Sequence, residues 1–395
     1  MKPSVILSDF TPMRPCQEIP QETLIEEMTN IFALVQCATR RPQSQEDANR
    51  ILAETKEIIR HYGVSPDHIK QRGFNTMVNV KITNNRNNIY PNVIPQPLQQ
   101  PSGLPLGERM KEFEKVAIDL LEKHYADCNQ APDDIIHVTC TGYMSPSPVQ
   151  RFLSRNNWRN TTVMHSYQMG CCGAFSSVRS ANDSITTSFV LDRPKSRIDI
   201  FHTEYCSLHS DFQKLAPENI LIMTLFGDGF IHYSVFPEDN FDAKRKNGLK
   251  ILSIDEQILP GSEEGTTLGW GQHHIDMTLS PDVPSFVDKY IEDFAENVLA
   301  MAGRKLSDIR NDLIFAIHPG GPKILDLIQE RLRITRKQMR HSWDILYKNG
   351  NMVSATTPYV WHAIVNDDTV PKGKLVLSLA FGPGLTASGM LMEKV

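Results

Sequence analysis

The stretch Thr161-Thr-Val-Met-His-Ser-Tyr-Gln-Met-Gly170-Cys171-Cys172-Gly-Ala-Phe-Ser-Ser-Val-Arg179 constrains the fold more than any other part of the chain. An apolar, β-branched run that meets Gly-Cys and continues into small residues specifies a strand, a tight turn and the first turn of a buried helix. A cysteine at such a turn lies against the first unpaired amides and the positive end of a helix dipole, which lower a thiol below the ~8.5 of a free cysteine. Cys171 is therefore expected to be a thiolate nucleophile. Taken alone, a Gly-Cys pair at this junction reads as small-residue packing, so the case for chemistry rests on the rest of the chain.

That chain is long enough, at 395 residues, for two to three domains or one large duplicated unit. Residues 22–61 carry apolar positions at helical spacing. An Asn- and Pro-rich segment over 83–107 reads as a loop over the body, either a solvated connection or a lid. Gly107–His124 is expected to be a helix and Asp134–Thr141 a strand ending at Gly142, while Arg197–Cys206 and Ile220–Phe236 read as strand-rich. The polar run Pro237–Gly248 is the best boundary, dividing an N-terminal unit, 1–240, from a C-terminal one, 241–395. Past it the pattern returns. Pro284–Met301 reads as helix, Asp312–His318 as strand, Pro322–Leu332 as helix, Asn351 as the start of a helix and Lys374–Phe381 as a final strand. In each half a strand ends in a polar residue and glycine and hands over to a helix, which suggests two similar α/β halves packed together.

Composition narrows the function. A net charge of -5 offers no basic field for nucleic acid. No run approaches the ~18 apolar residues of a membrane span, and the apolar stretch before Asp9 is too short for a signal peptide, so a cytoplasmic location is expected. Seven cysteines, an odd number without CxxC spacing, fit reduced thiols better than disulfides or a zinc site. Cys172, Cys206 and the His273-His274 pair have no metal-ligand spacing either.

Two further turns supply partners for Cys171. His318 ends an apolar strand before Pro319-Gly320-Gly321-Pro322, and Asn351 follows Gly350 at a helix start. Singly, the first reads as a core histidine and the second as an N-cap. Together they form a Cys, His, Asn set at the mouths of strand–helix units, where open α/β sheets place their sites. The His and the Asn can donate two hydrogen bonds to one oxygen, stabilising an enolate or tetrahedral oxyanion by about 3–4 kcal/mol per donor, while the thiolate holds an acyl group as a thioester.

These residues resemble the chalcone synthase (type III polyketide synthase) group of thiolase-fold condensing enzymes. Tyr167–Cys171, Phe226-Gly-Asp-Gly229, Ile317–Pro322, Gly350–Met352 and Phe381–Thr386 are similar to that family's signature stretches, in its order and at similar spacing. The resemblance implies a thiolase-like fold of two α/β halves in a layered αβαβα arrangement. It implies that Cys171 takes an acyl starter, and that His318 and Asn351 hold a malonyl or β-ketoacyl thioester through a decarboxylative Claisen condensation. It also implies pocket roles for Glu204, Gly382 and Gly384, with Asp228 structural. His209-Ser210 would stand near one gatekeeper position and Met277 near a second, and Ser145 or Met144 would cross a homodimer interface into the partner's cavity. No permanently bound cofactor is implied; the substrates would be acyl-CoA and malonyl-CoA or acyl carrier protein thioesters. The family's phosphate-gripping cations have only offset counterparts here, Lys70 and Arg72, with Arg60 and His61 nearby. The alternatives are a non-iterative ketosynthase or acyltransferase acting on carrier-bound chains and giving pyrones or diketones, a catalytically idle scaffold partner, and a cysteine hydrolase.

Overall fold

Alternating burial along the strands decides how the chain layers. The computed structural model describes residues 4–75, 99, 101–128, 130–242 and 246–395. The chain begins with β1 (Val5–Met13), β2 (Gln17–Pro20), α1 (Gln21–Arg40), α2 (Gln45–Tyr62), β3 (Gln71–Phe74) and α3 (Leu106–His124). It continues through β4 (Asp134–Thr139), α4 (Pro148–Arg155), β5 (Thr162–Tyr167), α5 (Gly173–Val190), β6 (Ile198–Glu204), α6 (Pro217–Leu225) and β7 (Gly229–Pro237). After the polar connection come β8 (Leu249–Ile258), β9 (Thr266–Trp270), β10 (Ile275–Leu279), α7 (Val283–Ala300), α8 (Leu306–Ile309) and β11 (Ile314–Ile317). The last elements are α9 (Pro322–Arg331), α10 (Arg340–Asn349), α11 (Thr356–Val365), β12 (Leu375–Gly382) and β13 (Thr386–Lys394).

Nine strands join in one sheet, ordered β11-β12-β13-β8-β1-β7-β6-β4-β5. Strands from residues 5–237 make one arm and strands from 249–394 the other, and they meet where Ile6 and Leu7 of β1 pair with β8. On β11, Ile314 and Ala316 enter one core cluster and Phe315 and Ile317 another; on β12, Val376 and Ala380 part from Leu377 and Leu379 in the same way. The first cluster also contains Ile136, Val138, Ile200 and Tyr233 of the other arm, with Phe175 and Val178 of α5 and Val360 and Trp361 of α11. Helices α5 and α11 thus lie between the two arms, Phe175 meeting Trp361 edge-on at 5.5 Å. Outside one arm, α7, α9 and α10 bury Val287, Leu325 and Leu346. Outside the other, α3 and α4 bury Leu121 and Phe152 against Ile135 and Phe201. This is the αβαβα layering of a thiolase-like fold.

Where the sequence suggested strand over Ile220–Leu225, the chain is helical. Pro217 opens α6 at its first turn, and an apolar run buried on more than one side carries no periodicity to tell helix from strand. Of the Pro-rich segment, 83–98 and 100 lie outside the described residues, and α3 begins within its last part, at Leu106. Among the described residues no helix is long and apolar enough to cross a membrane.

Candidate active site

Strand β5 delivers the chain to a short 3₁₀ turn, Gly170–Cys172, that leads directly into α5. Gly170 has φ +54, and a Cβ there would sit 2.3 Å from Pro383 Cδ, so the turn depends on glycine. Its N–H donates to Cys140 Sγ at 2.9 Å. The turn sends the two adjacent cysteines opposite ways. Cys172 is buried, its thiol donating to the Thr386 carbonyl at 3.3 Å, whereas Cys171 opens onto a cavity of about 840 Å³.

The same cavity receives His318 and Asn351. His318 follows β11, and its N–H extends the pairing to the Leu379 carbonyl at 2.8 Å. Its Nδ1 lies 3.2 Å from Thr357 Oγ1, and its buried Nε2 has no protein partner. Burial pulls the imidazole down to about 3, so the ring is neutral near pH 7. Asn351 is held through its backbone, with its N–H on the Leu225 carbonyl and its carbonyl on Gly227 N–H. Its Oδ1 accepts from Val353 N–H at 2.9 Å and Thr356 Oγ1 at 3.2 Å. With the oxygen so occupied, its amide nitrogen is left to donate, and Asn351 acts to lower the Cys171 thiol.

Electrostatics differ from the sequence expectation at the nucleophile. Burial pushes the Cys171 thiol up, and Cys172 and Glu204 push in the same direction, against the Asn351 hydrogen bond. Desolvation is the largest of these influences, so the resting group is a thiol. Glu204 is fully buried beneath it and accepts from Cys140 N–H, from Thr141 Oγ1 at 3.0 Å and from Ser354 Oγ. Burial raises this carboxyl to about 7 despite those donors.

The other expected pocket residues divide. His209, Ser210, Met277 and Gly382 line the cavity with the trio. Gly382 admits the Cys turn closely, since a Cβ there would stand 3.0 Å from Cys172 Sγ and from the Met169 carbonyl. Gly384, at φ +117, shapes the neighbouring turn without lining the cavity. Ser145 is exposed beyond β4, and Met144 packs with Phe113 and Tyr205, both outside the cavity wall. Arg72 cannot grip a carrier phosphate. It is fully buried, its guanidinium donating to Gln21 Oε1 at 2.7 Å and to the Met223 and Phe226 carbonyls. Lys70 is exposed but lies off the cavity wall. The lysines on that wall are Lys214 and Lys323, with His61 and His68. Asp228 is buried and holds Asn75 N–H and Ser207.

Phe226, Cys206, Cys140, Val353 and Pro383 also line the cavity, and sequence reasoning gave none of them a pocket role. Phe226 had a signal: it precedes the Gly-Asp-Gly turn, and its backbone bridges Asn351 in parallel. The two cysteines had none, because a buried thiol and a cavity thiol look alike in sequence. Among the described residues no cluster of three or more His, Cys, Asp or Glu is arranged to hold a metal ion.

Residues 250–395 match the family model of chalcone and stilbene synthases, C-terminal domain. The chain is 29% identical over 226 residues to the alpha-pyrone synthesis polyketide synthase-like Pks18 of Mycobacterium tuberculosis, a match covering 57% of this chain and 55% of that one. It is 28% identical over 234 residues to type III polyketide synthase A of Arabidopsis thaliana, covering 58% and 57%. The chain thus spans about half the length of these relatives. In structure it is similar to PKS-I from the brown alga Ectocarpus siliculosus (TM-score 0.81, 20% identity, 100% and 99% coverage). It is also similar to the C-terminal type III polyketide synthase domain of Steely1, a type I/III hybrid from Dictyostelium (TM-score 0.77, 22% identity, 99% of each chain).

Proposed function

We propose that the chain is a member of the type III polyketide synthase family and a condensing acyltransferase that forms carbon–carbon bonds by decarboxylative Claisen chemistry, a reading its likeness to that family supports. The observation that carries this reading is the convergence, on one cavity, of a cysteine thiol, an orphaned imidazole nitrogen and an amide whose oxygen is already occupied.

In the loading step His318 Nε2 takes the Cys171 proton, and the sulfur attacks the carbonyl of an acyl thioester. The carrier thiolate leaves and takes that proton back, so the acyl group changes sulfur without net change in charge. The Thr357 hydroxyl both donates and accepts, so it serves either tautomer of His318. A malonyl thioester then binds with its carbonyl oxygen against His318 Nε2–H and Asn351 Nδ2–H. Loss of CO2 leaves the electron pair as an enolate that these two donors stabilise. The enolate carbon attacks the acyl–Cys171 carbonyl and expels the cysteine, giving a β-ketoacyl thioester two carbons longer. Neutrality suits His318 to this work, because a neutral donor stabilises the enolate without protonating it.

The carrier is a CoA or carrier-protein thioester entering over Lys214, Lys323, His61 and His68, which are among the cationic and titratable side chains on the wall. The protein works in the cytoplasm as a homodimer. Strand β5 ends the sheet with Met164 and His165 exposed, next to an exposed Tyr143–Trp270 pair, and an unpaired apolar edge favours a second copy. Ser145 lies on the same loop as Tyr143, where a partner's cavity would be in reach. A monomer in light scattering at micromolar concentration would count against this arrangement.

The chemistry is tested by incubating the protein with a radiolabelled acyl-CoA and carboxyl-labelled malonyl-CoA. Label should bind wild-type protein and not Cys171→Ala, and labelled CO2 should appear. Acylation of the Ala variant at the wild-type rate removes Cys171 from the mechanism, and acylation without CO2 release leaves a simple acyltransferase.

A further inference from the structure

The β9–β10 hairpin is a two-stranded sheet of its own, with no strand pairing to the nine-stranded sheet, yet its Met277 lines the cavity wall. Beyond one backbone tie, Leu106 N–H to the Gln272 carbonyl in its loop at 3.0 Å, what fixes that side chain relative to Cys171 is a question of side-chain ties. Two occur at the ends of β10. At the first residue, Ile275 N–H donates to His209 Nδ1 at 3.0 Å, while His209 Nε2 lies 2.7 Å from the Thr141 carbonyl. A carbonyl only accepts and an amide N–H only donates, so the ring carries its proton on Nε2 and both nitrogens are satisfied. The imidazole is a rigid bridge from the turn after β4 to the hairpin. Thr141 is itself anchored, its hydroxyl donating to Glu204 and accepting from Tyr205 N–H. At the last residue, Leu279 N–H donates to Glu218 Oε1 in the first turn of α6. Met277 stands midway between these points.

Building on the condensing function above, we propose that His209 and Glu218 are positioning residues that clamp β10 at both ends. By fixing Met277 on the wall of the cavity that holds Cys171, they set which acyl chain lengths the enzyme accepts. Neither residue is needed for bond making, which belongs to Cys171, His318 and Asn351. A wall held at two points keeps one cavity shape, whereas a wall held at one admits several, so the clamp converts a loosely placed apolar side chain into a selective one.

The test uses the full chain and saturated acyl-CoA starters from acetyl- to dodecanoyl-CoA with malonyl-CoA. Product formation is read as kcat/KM for each starter, together with backbone hydrogen exchange and intact-protein mass spectrometry of acylated Cys171. His209→Phe keeps a ring but loses both hydrogen bonds, and Glu218→Ala releases the other end. Each should flatten or shift the chain-length profile, mainly through KM, with Cys171 still acylated, and exchange at Ile275 or Leu279 should quicken by about tenfold. His209→Gln, with a donor and an acceptor on one amide, should restore both readouts in part and serves where the Phe variant folds poorly. An unchanged profile in variants whose Ile275 or Leu279 exchange has quickened overturns the proposal, and so does unchanged exchange. Failure to acylate Cys171 in the native protein would instead defeat the condensing function itself, while exchange at Ile275 would still read the clamp.

Discussion

The Val353 N–H donates to the Asn351 side-chain oxygen at 2.9 Å, and it does so because Val353 sits at φ 51, in the left-handed region that β-branched residues avoid. The turn spends conformational energy to decide which end of an amide faces the cavity.

Asn351→Asp follows from that geometry. A carboxylate still accepts from Val353 and Thr356 but has no proton to offer and brings negative charge to a site where an enolate must form. Condensation should fall by roughly 10²–10³-fold, while loading of Cys171, which depends on the thiol and His318, should fall less. Separate rates of acylation and CO2 release check this split.

Glu204 gives a pH signature. Its carboxyl titrates at about 7 when folded, against about 4.3 in an unfolded chain. Between those values the folded protein holds a proton that the unfolded chain has lost, so stability declines as pH rises from about 4.3 to about 7 and the penalty is complete above. Glu204→Gln escapes it, since the Thr141 and Ser354 hydroxyls can turn to accept as well as donate. The variant should gain on the order of 1–3 kcal/mol at pH 8 and little at pH 4 in urea unfolding. Because the Glu204 charge also raises the Cys171 thiol, iodoacetamide should alkylate Cys171 faster in the variant than in the native protein at pH 8.

Strand and helix order were legible where period and punctuation agreed, as at Thr162–Tyr167 before Gly170, or at Ile314–Ile317 before the Pro-Gly-Gly turn. That Cys171, His318 and Asn351 meet at one cavity was legible for the same reason: each stands at a glycine-marked turn, and turns have local chemistry. Burial does not. Arg72 looked like a phosphate ligand because charge is visible in sequence, whereas the carbonyls of Met223 and Phe226 that enclose it come from a segment about 150 residues away. The direction of the Cys171 shift was missed likewise, since the helix terminus is local and the desolvating walls are distant. Ile220–Leu225 failed on period, because its burial is set by both the cavity and the core.

Arg72→Met should therefore act on stability and site geometry, not on carrier affinity. It strands the Met223 and Phe226 carbonyls and removes the side chain packed under Gly350, whose Cβ position is 2.9 Å from Arg72 Cδ. A loss of about 3 kcal/mol or more is expected, with a fall in kcat as Phe226 and Asn351 shift. Lys214→Ala and Lys323→Ala should do the reverse, raising KM for an acyl-CoA several-fold with kcat and melting temperature little changed.

Gly170→Ala tests the turn that presents the nucleophile. The added methyl meets two obstacles: φ +54, which costs an L-residue about 1–2 kcal/mol, and the Pro383 ring at 2.3 Å, which cannot rotate away. Relief requires the Gly170–Cys172 turn or the Pro383 loop to move, and both belong to the cavity wall. The variant should lose stability by roughly 2–4 kcal/mol and lose acyl transfer to Cys171 by a larger factor than its folded fraction explains. Gly107→Ala is the control. It lies in the first turn of α3 with nothing within 4 Å of the new methyl, so it should leave acylation alone and hold or slightly raise the melting temperature. Equal losses in the two variants would mean that the Gly170 turn is ordinary packing, and that Cys171 owes its position to the helix behind it.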